Sequence, residues 1–259
     1  MKSSLAAVTA LLLNSLAMPA VAAQTAPQPA AAAPALDRDA QCAMFMRNVS
    51  VAMLVRGNLT AGERSYLARY GVLFAYYAGR FSVGHDQAAA LPVLTATVRG
   101  LSREVQDRMD CFNDGERATR AVQAQLDRAV PAPGSRTTAA AAAPAAPAGA
   151  PAEDARCIAA VQRVINERDR LIARPEMGNP DRIFWTVDYL TGRIVARDGA
   201  AAFEPAVAAA FAALPADGAA ADAMGFRCVD EISRARDAFS DGIAAAEQAA
   251  HADGGGNAK

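Results

Sequence analysis

Histidine, lysine and tryptophan are nearly missing from these 259 residues: His85 and His251 are the two histidines, Lys2 and Lys259 the two lysines, and Trp185 stands alone. Histidine-rich metal centres and Ser-His-Asp triads need imidazoles that this chain does not have to spare. No metal, cofactor or catalytic residue is therefore assigned. The four cysteines include no C-x-x-C pair, which removes the usual redox dithiol. Neither sign of charge dominates, since 26 basic side chains meet 27 acidic ones for a net −1. Nucleic acid and anionic membranes thus have no general electrostatic claim on the chain. Long apolar runs are missing as well: the stretch at 5–16 is 12 residues, against the roughly 20 that a spanning helix needs. No transmembrane segment is expected. Aromatics make up only 6%, and the hydrophobic fraction of 53% is inflated by alanine, which favours helix and buries little surface.

What is present begins with an address. Met1-Lys2, the apolar run and Val21-Ala22-Ala23 before Gln24 read as a signal peptide at 1–23. No cysteine follows the cleavage point, so the mature chain is expected to be periplasmic or secreted without a lipid anchor. Two stretches rich in Ala and Pro, 24–36 and 131–152, read as linkers that cannot hold a helix or a core. The end, 252–259, reads as a flexible tail. Between them lie two segments, 37–130 and 153–251, each long enough for a small domain.

These segments look like copies of one module. Asp39-Ala40-Gln41-Cys42 returns as Asp154-Ala155-Arg156-Cys157, and Tyr76-Tyr77-Ala78-Gly79-Arg80 as Tyr189-Leu190-Thr191-Gly192-Arg193. A proline follows the arginine by 12 in both (Pro92, Pro205), Cys111 matches Cys228, and Arg117-Ala118 matches Arg234-Ala235. The cysteines of each segment are 69 and 71 positions apart. Four cysteines allow three pairings, and a duplicated module keeps its bridge to itself. The expected disulfides are therefore Cys42–Cys111 and Cys157–Cys228, each closing a loop worth about 4 kcal/mol in the chain-entropy account.

Periodicity makes both segments all-α, as two tandem bundles of about four helices. Cys42, Phe45, Met46, Val49 and Met53 share a face of the first helix, with Asp39 placed to cap it; Cys157, Val161, Val164 and Leu171 follow with Asp154. Tyr70, Phe74, Tyr77 and Phe81 mark the second helix, matched by Ile183, Val187, Leu190 and Ile194. A third helix is expected to start near Pro92 and near Pro205. Cys111, Gly115, Ala118, Val122 and Leu126 mark the last, matched by Cys228, Ile232, Ala235, Phe239 and Ile243. Trp185 matches Val72 and is expected to pack in the core.

One polar pattern recurs. Arg69, Tyr76 and Arg80 match Arg182, Tyr189 and Arg193, and steps of seven and four put each trio within roughly 40° on its helix. Two guanidiniums and a phenol suit a carboxylate or phosphate. Equally, each arginine suits an acid on a neighbouring helix, with the tyrosine ring at the edge of the core, and that structural role is the expected one.

The D-A-x-C, Y-x-x-G-R and second-Cys pattern behind a signal peptide resembles exported alanine-rich helical proteins of alphaproteobacteria, sphingomonad-like ones above all. That family has no assigned activity. A looser similarity of architecture is to small periplasmic acid-stress chaperones, and architecture alone confers no function. The expectation is a non-enzymatic binding or protein-interaction protein of the cell envelope, chaperone-like, with an envelope protein or a small anionic ligand as partner. The rivals are an enzyme with an Arg/Tyr-lined site between the segments, or an inhibitor or immunity protein.

Overall fold

A computed structural model of the chain describes residues 37–101, 105–130, 151–166 and 181–254. The expected signal peptide, both linkers up to residue 150, and Leu171 lie outside the described residues. Among the described residues, eight α-helices run in order and there is no strand. The first half contains α1 (Arg38–Arg56), α2 (Ala61–Gly84), α3 (Gln87–Arg99) and α4 (Val105–Ala129). The second contains α5 (Pro151–Asn166), α6 (Asp181–Asp198), α7 (Phe203–Ala212) and α8 (Gly218–Gly254).

Local chemistry sets several of the ends. Asp37, rather than Asp39, caps α1: its carboxylate accepts the Ala40 N–H at 2.9 Å. Asp39 and Asp154 sit inside the first turns of α1 and α5, where a side chain is free to reach across to another helix. Gly57 at φ 64° turns the chain out of α1. Thr60 and Glu63 then form a reciprocal capping box that opens α2. Asp86 caps α3 by accepting from Ala89 N–H at 2.7 Å, so that helix begins five residues before Pro92, which lies within it. Here a good cap outweighs the preference of proline for a first turn. Pro205 does fall in the first turn of α7. At the C-terminus α8 runs three residues beyond the expected boundary at His251, to Gly254.

The disulfides join Cys42 to Cys111 and Cys157 to Cys228, with Cα–Cα distances of 5.3 and 5.6 Å. Each ties the first helix of a half to its last. The packing of the halves differs from two bundles standing side by side. The most extensive helix contact is between α2 and α6, one from each half, and α3 lies against α8 while α7 lies against α4. Each short third helix thus packs on the last helix of the other half.

The cores show the same exchange. Ala40, Met44, Phe81, Leu94, Ile243 and Ala246 form one buried cluster, three helices of the first half closed by the end of α8. Their sequence-matched equivalents, Ala155, Ala159, Ile194, Val207, Leu126 and Ala129, are buried together in the largest cluster, closed by the end of α4. Helix length accounts for this. At about 1.5 Å per residue, the 25 residues of α4 and 37 of α8 overrun a bundle built from fewer than a hundred residues. Alanine-rich halves bury little surface alone, and a shared core buries a larger fraction. The described helices accordingly form one contact unit.

Candidate functional site

The six Arg and Tyr residues of the recurring stripe do not come together as one site. Arg80 Nε donates to Asp39 at 2.8 Å, and Arg193 lies 3.4 Å from Asp154, which also accepts from Arg197 at 3.0 Å. The Y-x-x-G-R arginine therefore meets the D-A-x-C aspartate within each half. Burial raises the carboxyl pKa of Asp39 and of Asp154, and the arginines beside them offset only part of it. The Tyr76 hydroxyl lies 3.4 Å from Arg80 Nη1, and Tyr189 reaches Ser82 of the first half. Both rings are buried. Arg69 is half exposed, 3.9 Å from Glu116. Arg182 lines a crevice with Tyr189 and Arg236 that is too narrow for water.

The glycines of the same motif explain why the halves meet there. A Cβ on Gly79 would collide with the carbonyl of Tyr189, and a Cβ on Gly192 with the carbonyl of Tyr76. The contact is reciprocal, backbone on backbone. Only glycine lets α2 and α6 approach so closely, and its Cα–H groups face carbonyl oxygens, a weak but recurrent attraction. Tyrosine, glycine and arginine thus each have a packing or pairing role at the crossing.

A cavity of about 980 Å³ opens beside it, lined by five of the long helices of both halves and by α5. Its apolar wall includes Leu54, Val72, Leu126, Ile165, Phe184 and Trp185, and its charged groups are Arg47, Arg64, Arg120, Asp188, Arg236 and Asp237. Leu54 and Phe184, both in its lining, are 60% and 47% exposed. Trp185 is seated by Gly71, where a Cβ would lie 3.0 Å from Trp185 Nε1. The Arg236 guanidinium stacks over its ring at 4.5 Å. Trp185 therefore packs against the core, as expected, and also borders the cavity.

Asp188 is the residue that sequence reasoning passed over. It projects from α6 between Val187 and Tyr189, both buried, and has no hydrogen-bond or ion-pair partner among the described residues. Burial alone pushes its carboxyl up to about 7. By accessible surface it is half-buried, and it borders the cavity. The sequence does carry a signal: Asp188 matches Ala75, fully buried on α2, so an acid replaces a core alanine. Such a carboxyl holds or gives up a proton near neutrality and donates a hydrogen bond when protonated. Among the described residues no cluster of His, Cys, Asp or Glu is arranged to hold a metal ion.

Fold and bridges define an all-α protein with two disulfides and, among the described residues, no helix long and apolar enough to cross a membrane. The chain matches no protein-family model, and no curated protein or solved structure matches it.

Proposed function

We propose that this is an exported, non-enzymatic binding protein of the cell envelope, built from a duplicated module, whose ligand is a small amphipathic molecule held in the cavity between the halves. The observation that carries this reading is the cavity itself: about 980 Å³, apolar-walled, with Asp188 in its lining and without a partner among the described residues. That volume lies at the upper end of the roughly 300–1,000 Å³ of small-molecule sites, which combine apolar walls with a few placed polar groups. A half-buried acid whose charge is disfavoured by its surroundings is costly to keep, and such costs concentrate at sites of function. Two disulfides support action in an oxidising compartment, in keeping with the leader-like start of the sequence.

A catalytic reading would need a nucleophile or second acid–base group acting with Asp188. Asp237 is held by Arg236, Arg80 and Arg193 are paired with Asp39 and Asp154, and the Tyr76 and Tyr189 rings are buried. Binding is therefore the better reading. Native mass spectrometry of the full chain, exported by an expression host and kept in volatile buffer, tests it. A small adventitious or native amphiphile retained by the wild type and lost on Val72→Trp, which fills the cavity, is the expected result. Identical spectra for both proteins, free of ligand even after incubation with a fatty acid, would remove the proposal.

A further inference from the structure

The charges around the cavity indicate what kind of amphiphile it takes, an inference that rests on the cavity being a binding site. Four guanidiniums and two carboxylates line it, leaving +2, or +3 when Asp188 is protonated. Three of the arginines are already answered. Arg47 on α1 pairs with Glu247 at 3.4 Å, Arg120 on α4 pairs with Glu116, and Arg236 on α8 pairs with Asp237 at 2.5 Å. From α5 only the neutral Gln162 carries a polar side chain into the lining. Arg64 on α2 differs: it donates to the Leu59 carbonyl at 2.7 Å and has no acidic partner among the described residues. It is exposed, a cation at the rim of an apolar groove.

We propose that the cavity binds an amphiphile with an anionic head group, the head at Arg64 and the chain along Val72, Phe184 and Trp185, and that binding requires Asp188 in its protonated form. Charge complementarity at Arg64 sets the sign of the head group. An ionised Asp188 would place a second negative charge, with no partner, beside the incoming chain and in the same low-dielectric space. Protonated, the carboxyl is neutral and able to donate. The other charged groups that line the cavity are Arg47, Arg64, Arg120, Arg236 and Asp237. Asp188, which titrates at about 7, is then the group that makes affinity fall as pH rises.

Trp185 is the sole tryptophan and borders the cavity, so its emission reports occupancy in the full chain. The probes are 1-decanesulfonate, anionic at every pH used, decyltrimethylammonium and 1-decanol, each below its micelle threshold. Sulfonate should bind tightest at pH 6 and weaken by about tenfold or more by pH 8.5, as expected for one linked proton. Asp188→Asn should keep the pH 6 affinity throughout that range. Asp188→Ala, which places on α6 the residue that α2 carries, should also lose the pH dependence and serves should the Asn variant fold poorly. Arg64→Gln should weaken sulfonate several-fold and leave decanol unchanged. Tighter binding of the cation, or a pH dependence that survives both Asp188 variants, overturns the inference. Equal binding of all three probes refutes the head-group assignment and leaves the cavity reading standing. No emission change with any probe refutes the cavity reading itself.

Discussion

Tyr76, Gly79 and Arg80 on α2 meet their equivalents Tyr189, Gly192 and Arg193 on α6 at the crossing of the halves. Earlier in the same two helices the sequences part, and Gly71, Val72 and Ala75 stand where α6 has Phe184, Trp185 and Asp188. The shared residues build the crossing, where each has a steric or pairing task that tolerates little change. All of these but Ala75 line the cavity, where α2 presents small side chains and α6 an indole, a phenyl and an acid. In this molecule likeness between the halves marks architecture, and divergence marks the candidate site.

Substitutions can break that contrast at either end. The largest effect is expected at the crossing: Gly79→Ala and Gly192→Ala should each cost at least about 4 kcal/mol or prevent folding, because carbonyl backbone cannot yield as a side chain does. Gly71→Ala should be far milder in thermal melts, since its neighbour is the movable Trp185 ring. Next comes Asp188→Asn. The folded-state pKa of about 7 lies above the ordinary 3.8, so the folded protein holds this proton more tightly than the unfolded chain. Stability from that group is therefore present at low pH and lost as pH rises towards 7. The variant should be more stable than wild type by about 2–4 kcal/mol at pH 8 and nearly equal to it at pH 4.

Arg80→Leu should cost about 2 kcal/mol at pH 7, measured by urea unfolding, by stranding Asp39. The loss should shrink as pH falls and Asp39 takes up a proton. Arg193→Leu should cost less, because Arg197 still holds Asp154 at 3.0 Å. The smallest effect belongs to Arg69→Ala, a half-exposed guanidinium 3.9 Å from Glu116, which Arg120 also pairs, and it should stay within about 0.5 kcal/mol. A large loss there would show the stripe to be one unit after all.

Helical class, the two bridges and the apolar stripes were legible in the sequence because they depend on local periodicity and on cysteine count. The arginines were legible as pairing partners, although not which acids they would find. Exchange of the third helices was hidden, because periodicity says which face is buried but not by which neighbour. Helix α1 has two apolar stripes, and Ala40 and Met44, buried against α8, lie outside the one that Cys42 and Met46 mark in the sequence. Gly79 and Gly192 recur at matched positions of the sequence, which does not indicate that each meets the backbone of the other half. Asp188 was hidden by its ordinariness, an acid on a helix, until its match to a buried alanine gives it weight.

The central claim is that the two halves form one exchanged body. Both disulfides lie within halves and no cysteine is left free among the described residues, so only the chain between Val130 and Pro151 joins them covalently. A site-specific protease sequence inserted there permits a single cut in the otherwise intact protein. Size-exclusion chromatography with light scattering, followed by calorimetry, then reads the outcome. The cut chain should elute at the mass of the whole and melt in one transition. Two separated halves, each folded and each with its own melt, would contradict the account.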